Sequence, residues 1–403
     1  MTALRQPRTR EEPALNRGLL TLVGAQFLSA FGDNAILFTV ISMTLKAGDR
    51  GAWYIPALQS AFLVAYVTLT PWVGTLADRY PKPRILFFAN LVKGLGALAI
   101  FFGIDPLLGY ALVGVGAASY GPAKYGIIPE LTSTQNLVRA NGWVEGATIA
   151  AILFGTVGGA RLADRSAGLA LATVIGLYLI SGLATFLLPG RVVPSPANGR
   201  SAWGNLMAWM RALLGSLRAR FILLALSLFW AAAATLRVVL VAWAPEALGA
   251  TSASAIADLT FFMAIGIVVG AGLVPRLIPL DRVRRTRFAA YAMGTLFVLL
   301  AMVTDVLTAK VALFCIGLCG GMFVVPLNAA VQEIGHGGVG SGGAVAVQNF
   351  FQNSAILLGM GIYSIAAGHG AGPVATILVL GGLVWLATVI VALRLPRTPL
   401  TDG

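Results

Sequence analysis

The sequence has few charged residues. Aspartate, glutamate, lysine and arginine together make up 11% of the 403 residues, whereas 58% are hydrophobic. A soluble domain carries about 25% charged residues, so this composition excludes an ordinary soluble domain. The chain is therefore predicted to be an integral membrane protein.

Cysteine and histidine are also scarce, with two of each. Cys315 and Cys319 stand four apart in an apolar stretch and fit small core residues better than a disulfide or metal pattern. His336 and His369 are too few for a metal site, and there is no Walker phosphate-binding loop. The sequence thus predicts no cofactor, no metal, no enzyme activity and no ATP-driven pumping by this chain.

The apolar residues fall into long runs, each near the ~20 residues that a membrane helix needs. The first is preceded by a polar, basic segment and is too long for the core of a cleavable signal peptide. We predict an all-α membrane protein with twelve transmembrane helices, roughly at residues 19–45, 54–76, 84–103, 107–128, 137–160, 168–189, 221–245, 256–280, 287–304, 309–330, 341–367 and 373–394.

The longest polar break, 190–220, divides the chain into two halves of six helices each. The predicted domains are therefore an N-terminal half, 1–189, a cytoplasmic linker, 190–220, and a C-terminal half, 221–403. The linker includes an amphipathic piece, Trp203 to Leu217, which is predicted to lie on the membrane surface.

The basic residues predict the orientation. With the N-terminus in the cytoplasm, 20 lysines and arginines fall in cytoplasmic segments and only five on the opposite side, namely Lys46, Arg50, Arg161, Arg165 and Lys310. Positive charge concentrates on the cytoplasmic side, so both termini are predicted to be cytoplasmic. The same distribution explains the net charge of +13 without nucleic-acid binding.

A polar stripe crosses the first predicted helix. Gln26, Ser29 and Asp33 are spaced i, i+3, i+7 and share one face. A carboxylate in mid-membrane costs at least ~2.5 kcal/mol and marks a substrate or ion path by default. The alternative is that Asp33 only forms an ion pair with a neighbouring helix.

The loop after the second predicted helix contains a motif, GTLADRYPKPR from Gly74 to Arg84. It resembles the G-x-x-x-D-R-x-G-R-R loop of the major facilitator superfamily, and the six-plus-six layout agrees with that resemblance. The resemblance implies a gating role for Gly74, Asp78 and Arg79. Pro81 stands where the superfamily usually has glycine.

Three further charges lie inside predicted helices: Lys124, Arg237 and Lys93. Helices 1, 4, 7 and 10 line the cavity in this superfamily, so the resemblance implies that Asp33, Lys124 and Arg237 face one pore. Two cations and one carboxylate would suit a phosphate that bears an amine. The alternatives are a plain Asp33–Arg237 pair and a Lys124 that extends to the interface. Lys93 is expected to be peripheral to the cavity, where it would either pack against other helices or extend to the interface.

Uncharged polar residues and one acid complete the predicted substrate-binding set. Their carboxamide, hydroxyl and carboxyl groups suit a polar head-group, although such groups also join membrane helices by hydrogen bonds. Glu145 is the one candidate proton carrier besides Asp33. The members beyond the three charges above are Gln26, Asn34, Tyr120, Glu145, Gln348 and Gln352.

Several segments together resemble a particular bacterial family, the lysophospholipid transporters (LplT). They include QFLSAFGDNA from Gln26, GPAKYGI from Gly121, SLFW from Ser227, FVVPLNA from Phe323 and AVQN from Ala346. The resemblance implies a flippase that moves lysophosphatidylethanolamine and lysophosphatidylglycerol from the outer to the inner leaflet of the inner membrane. It also implies a separate functional partner, an acyltransferase/acyl-carrier-protein synthetase.

Two other functions stay open on the sequence alone. One is a proton-coupled drug or metabolite exporter of the same fold, with Asp33 or Glu145 as the proton site. The other is a scaffold or sensor that binds lipid without moving it.

Overall fold

The computed structural model describes residues 16–132, 136–190, 201–277, 285–336 and 341–394. These residues form thirteen α-helices and one 3-10 turn, Thr185–Leu187, and contain no strand. The helices are α1 Arg17–Ala47, α2 Tyr54–Arg79, α3 Lys82–Phe101, α4 Pro106–Leu131, α5 Leu137–Arg165, α6 Ala167–Ala184, α7 Ala202–Gly215, α8 Leu217–Leu248, α9 Ala253–Leu277, α10 Thr286–Leu300, α11 Val306–His336, α12 Ser341–Gly368 and α13 Pro373–Arg394.

Local sequence signals account for many helix ends. Asn16, Ser166 and Ser216 each accept a backbone N–H with the side chain and so begin α1, α6 and α8. Gly48 and Gly249 end α1 and α8 in the left-handed conformation, with φ of 65° and 66°, which side chains disfavour.

Each predicted span coincides with a helix, and most ends agree within a few residues. α6 is shorter than predicted, because the chain leaves the α-helix at Ala184 and forms the 3-10 turn. In the part of the chain that the structure describes, nine helices are long and apolar enough to cross a membrane, and Thr286–Leu300 is a shorter apolar helix. The count of twelve spans therefore stays a prediction.

Helices α1 to α6 pack mainly against one another, with α1 on α5 and α6, and α4 on α2 and α3. Helices α8 to α13 likewise pack together, with α9 on α11, α8 on α12, and α10 on α13. The two groups meet where α2 contacts α12 and where α5 contacts α9. The division at 190–220 stays a prediction, since residues 191–200 lie outside the described residues.

Glycines let α9 and α11 pack with their backbones close together. A Cβ at Gly266 would lie 2.1 Å from the Phe314 carbonyl oxygen, and one at Gly317 would lie 2.0 Å from that of Met263. Only glycine permits this backbone approach, as in other membrane helix pairs.

The amphipathic piece predicted in the linker forms α7. Its leucines Leu206 and Leu213 are buried, whereas Trp203, Met207 and Arg211 are exposed. Trp203 stacks edge-on against Trp72 of α2, with ring centroids 6.0 Å apart. Trp209 lies against Gly343 of α12, so α7 touches both groups of helices.

Candidate functional site: a buried polar network and an unpaired arginine

The carboxylate of Asp33 is held by two side chains from other helices. Lys93 of α3 places its Nζ 2.8 Å from Asp33 Oδ2, and the Tyr178 hydroxyl of α6 donates to Asp33 Oδ1 at 2.9 Å. Gly32 makes room for this tyrosine, since a Cβ there would lie 2.7 Å from the ring. Asp33 keeps a side-chain exposure of 23%, so part of the carboxylate still faces open space.

The pair belongs to a larger polar network. The Lys93 ammonium also donates to Ser29 Oγ at 2.9 Å, and Ser29 donates to Asn90 Oδ1 at 2.7 Å. Asn90 then donates to Ser181 Oγ at 3.0 Å. This network joins α1, α3 and α6, and its buried polar groups are hydrogen-bonded, as burial requires.

Of the two roles expected for Lys93, extension to the interface is wrong, because the side chain packs inside the first group of helices as the partner of Asp33. Lys93 is 1% exposed, forms the ion pair with Asp33, and lies 4.9 Å and 5.6 Å from the ring centroids of Tyr120 and Tyr178. A buried ammonium needs such a counter-charge, because desolvation of an unpaired charge is expensive. The spacing of Asn90 and Lys93, i and i+3 in an apolar helix, was the signal for this second stripe.

Arg237 of α8 approaches the first group of helices without meeting a carboxylate. Its Nη2 donates to Asn34 Oδ1 at 3.2 Å and to Thr156 Oγ1 at 3.4 Å, and its guanidinium lies 5.5 Å from the Phe38 ring centroid. Its Nε is buried without a hydrogen-bond partner. The alternative of an Asp33–Arg237 pair is therefore wrong.

Lys124 of α4 is 6% exposed, and its ammonium lies 4.1 Å from the ring centroid of Tyr125. The Tyr125 hydroxyl donates to Glu145 Oε1 of α5. Glu145 itself is exposed, and Tyr120, one turn before Lys124, is 4% exposed. Within the described residues, neither Lys124 nor Arg237 forms an ion pair.

The glutamines of the predicted substrate-binding set lie in both groups of helices. Gln26 is buried and donates to Thr148 Oγ1 at 2.8 Å, while its Oε1 has no partner. In the second group of helices, Gln348 donates to Asn328 Oδ1 at 2.7 Å, and Gln352 Nε2 is buried without a partner. Gln26 therefore joins α1 to α5, and Gln348 joins α12 to α11.

The predicted gating residues Gly74, Asp78 and Arg79 lie in the last turns of α2, and their side chains fall outside the described residues. The neighbouring turn is described. Pro81 precedes α3 with a φ of −55°, which proline adopts readily, and Lys82 forms a buried ion pair with Glu130 at the end of α4.

Side chains tie the two groups of helices together at the end of the bundle opposite this turn. Asp164 of α5 accepts the Ser254 backbone N–H of α9 at 2.8 Å, and Arg161 lies 3.5 Å from Asp258. Ser364 of α12 donates to the Trp53 carbonyl at 2.9 Å. This end is the predicted outer side.

The charges of the site are therefore distributed unequally. Asp33 and Lys93 cancel in the first group of helices. Arg237 and Lys124 add positive charge. Glu145 accepts a hydrogen bond from the Tyr125 hydroxyl, and the Tyr125 ring in turn contacts the Lys124 ammonium. Arg237 still has an unused donor, so the arrangement can bind an anionic group such as a phosphate.

Comparisons with known proteins agree with this architecture. The family model described as Major Facilitator Superfamily matches residues 22–360. A crystal structure of a mutant of the nucleoside transporter NupG superimposes with a TM-score of 0.68, at 15% identity, over 93% of this chain and 98% of that one. At that identity the likeness shows the fold alone.

Much closer relatives exist in sequence. The lysophospholipid transporter LplT of Serratia proteamaculans is 44% identical over 88% of this chain and 90% of its own length. Its counterpart from an Escherichia coli strain is 46% identical over 87% and 89%. The one from Yersinia enterocolitica is 43% identical over 91% of both chains.

Proposed function

The chain belongs to the lysophospholipid transporter family of the major facilitator superfamily, and we propose that it moves lysophospholipids across a bacterial inner membrane. The identity of 43–46% to three lysophospholipid transporters over most of the chain carries this proposal. In the proposed topology, the chain crosses the membrane twelve times and both termini lie in the cytoplasm. It takes lysophosphatidylethanolamine or lysophosphatidylglycerol from the outer leaflet to the inner leaflet.

Arg237 is the proposed ligand for the phosphate. Its guanidinium holds only uncharged acceptors in Asn34 and Thr156, and its Nε is buried without a partner. A planar guanidinium can bind a phosphate through two parallel hydrogen bonds, which gives both energy and orientation. Lys124 supplies the second cation on the same proposed path.

Asp33 is the proposed contact for the ammonium of an ethanolamine head-group. Lys93 and Tyr178 each occupy one side of the carboxylate, while its 23% exposure leaves lone pairs available. The Lys93 ammonium, 2.8 Å from Asp33 Oδ2, fixes the position of the carboxylate. We therefore assign Lys93 and Tyr178 as positioning residues that do not touch the lipid themselves.

The remaining predicted residues, Gln26, Tyr120, Glu145, Gln348 and Gln352, are proposed to line the path of the head-group. Gln26 Oε1 and Gln352 Nε2 support this role, because each is a buried polar atom with no partner in the protein. The acyl chain needs no polar route, and we propose that it projects between the halves toward lipid.

Transport is proposed to proceed by rocking of the two halves around this site, with the motif of Gly74, Asp78 and Arg79 acting at the cytoplasmic gate. The contacts of Asp164 with Ser254 and of Arg161 with Asp258 support a state that is closed on the outer side. In the cytoplasm, an acyltransferase/acyl-carrier-protein synthetase is the proposed functional partner that re-esterifies the product.

The rival function is a proton-coupled exporter. Asp33 is already bound by Lys93 at 2.8 Å and by the Tyr178 hydroxyl, so a proton path through Asp33 would have to break these contacts. Glu145 is exposed and bonded to Tyr125.

The test is the movement of labelled lysophosphatidylethanolamine across proteoliposome membranes by wild type, Arg237→Gln and Lys310→Gln. Lys310 is the matched control, since it loses the same charge but lies beside the Phe262 ring. Loss of a charged hydrogen-bond donor worth about 1.5–3 kcal/mol should slow Arg237→Gln at least tenfold. A folded Arg237→Gln protein with wild-type flux would refute the phosphate site.

A further inference from the structure

A cavity of about 350 Å³ lies on the flank of the first group of helices, among α1, α5 and α6. Its size falls in the range of ligand pockets. Most of its lining is apolar, and two arginines contribute to it. The lining residues are Phe31, Ala35, Gly158, Gly159, Arg161, Leu162, Arg165, Ala170, Thr173 and Val174.

Small residues create the space. A Cβ at Gly158 would lie 3.2 Å from the Phe31 ring, so glycine at this position keeps the cavity open beside that ring. Ala35 and Ala170 are both buried and form short walls on either side. The result is an apolar slot suited to an alkyl chain.

Arg161 and Arg165 stand one turn apart at the end of α5, and both are exposed. Arg161 also lies 3.5 Å from Asp258, whereas no ion pair of Arg165 occurs within the described residues. Both are among the five basic residues on the predicted outer side, where arginine and lysine are otherwise rare. Two cations at the mouth of an apolar slot match a phosphate joined to an acyl chain.

The surface around the slot is apolar and faces outward. Phe154 of α5 is 60% exposed and Leu169 of α6 is 55% exposed, as expected for side chains against lipid. An occupant reaches the slot from the surrounding bilayer, where diacyl phospholipids are in large excess over lysophospholipids. Mass action therefore favours a diacyl lipid at this flank.

We propose that the slot is a binding site for an anionic diacyl phospholipid of the outer leaflet, with its phosphate on Arg161 and Arg165 and one acyl chain among α1, α5 and α6. The second chain stays in the bilayer. This site is separate from the contacts of Arg237, and it shares only Arg161 with the contacts between the two groups of helices.

Native mass spectrometry of the detergent-purified protein tests the site, with added phosphatidylglycerol or phosphatidylcholine of identical chains as probes. The variants are Arg161→Gln with Arg165→Gln, and Thr173→Phe, which fills the slot from its exposed wall. Lys310→Gln is the matched control, because it removes a cation from the same predicted side. Melting temperatures without lipid check that each variant is folded.

Wild type and Lys310→Gln should retain phosphatidylglycerol in preference to phosphatidylcholine. The double arginine variant should retain about tenfold less, from the loss of two cation–phosphate contacts, and Thr173→Phe should also lose binding. Wild-type retention by the folded double variant, or equal binding of phosphatidylcholine, would overturn the proposal. Displacement of phosphatidylglycerol by equimolar lysophosphatidylglycerol would overturn the diacyl occupant.

Discussion

Removal of the Lys93 ammonium should destabilise the protein more than removal of the whole Asp33–Lys93 pair. In Lys93→Met the carboxylate of Asp33 keeps only the Tyr178 hydroxyl bond and loses the ammonium at 2.8 Å. Breaking one partner of a buried pair costs about 3–5 kcal/mol, and we expect the lower end because Asp33 is 23% exposed. The double variant Asp33→Asn with Lys93→Met leaves no buried charge and should recover most of that loss.

Denaturant titration in mild detergent measures these differences in the free energy of unfolding. Lys310→Met serves as the control, because its ammonium contacts the Phe262 ring from a partly exposed position and should cost less than ~1 kcal/mol. A loss below ~1 kcal/mol in Lys93→Met, or a double variant as unstable as the sum of the two single variants, would refute the pair as a coupled unit.

Three other perturbations have defined outcomes. Tyr178→Phe removes one hydrogen bond to Asp33 and should cost about 1.5–3 kcal/mol of unfolding free energy by denaturant titration; an unchanged value would contradict the bond. The pKa of Asp105 lies below its usual range, mainly because its carboxylate accepts a hydrogen bond from the Tyr54 hydroxyl. The ionised carboxylate therefore stabilises the fold above the pKa of the unfolded state, and this stabilisation is lost as the pH falls through the pKa of the folded state. Melting temperatures measured across about pH 3–5, roughly one unit either side of the usual pKa, should therefore fall less steeply with falling pH for Asp105→Asn than for wild type. Identical slopes would contradict the assignment. Gly266→Ala forces a Cβ into the backbone of α11 and should lower the melting temperature by several degrees, whereas Gly272→Ala, where a Cβ meets nothing, should not; equal effects would contradict the close contact.

Much of the fold could be predicted from the sequence because the signals are long and strong. Runs of about twenty apolar residues broken by Gly, Pro and Arg determine where helices begin and end, and each predicted span coincides with a helix. The amphipathic α7 was equally visible, since its buried leucines recur with helical spacing. The largest differences are at helix ends: α6 ends early at a 3-10 turn that hydropathy does not record, and α5 and α11 continue five and six residues beyond the predicted ends.

The polar face of α1 was predictable from the sequence, whereas the partners of its side chains were not. The stripe of Gln26, Ser29 and Asp33 indicated an inward-facing polar side of α1, and Gln26, Ser29 and Asp33 all bond to other helices. Which cation meets Asp33 depends on how α1 and α3 face each other, and spacing within one helix carries no such information. Lys93 was therefore misplaced, and the resemblance to a family with central cavity helices favoured Arg237.

Lys93 and Arg237 are both buried cations, but their contacts differ. Lys93 is 1% exposed, donates to Asp33 and Ser29, and lies beside the rings of Tyr120 and Tyr178, so its burial keeps a ligand away from the ammonium. Arg237 makes two long hydrogen bonds to uncharged acceptors, and its Nε is buried without a partner. The partners of the two cations therefore differ, and this difference supports Arg237 as the proposed phosphate ligand and Lys93 as the proposed positioning residue.

Inward movement of labelled lysophosphatidylethanolamine in proteoliposomes, measured with and without a proton gradient, tests the central proposal most directly. We expect the same flux in both conditions and at least about a tenfold loss in Arg237→Gln, because the site binds the head-group through Arg237 and Asp33 stays paired with Lys93. Flux that requires the gradient would favour the proton-coupled exporter, and no flux from the folded wild-type protein would contradict lysophospholipid transport.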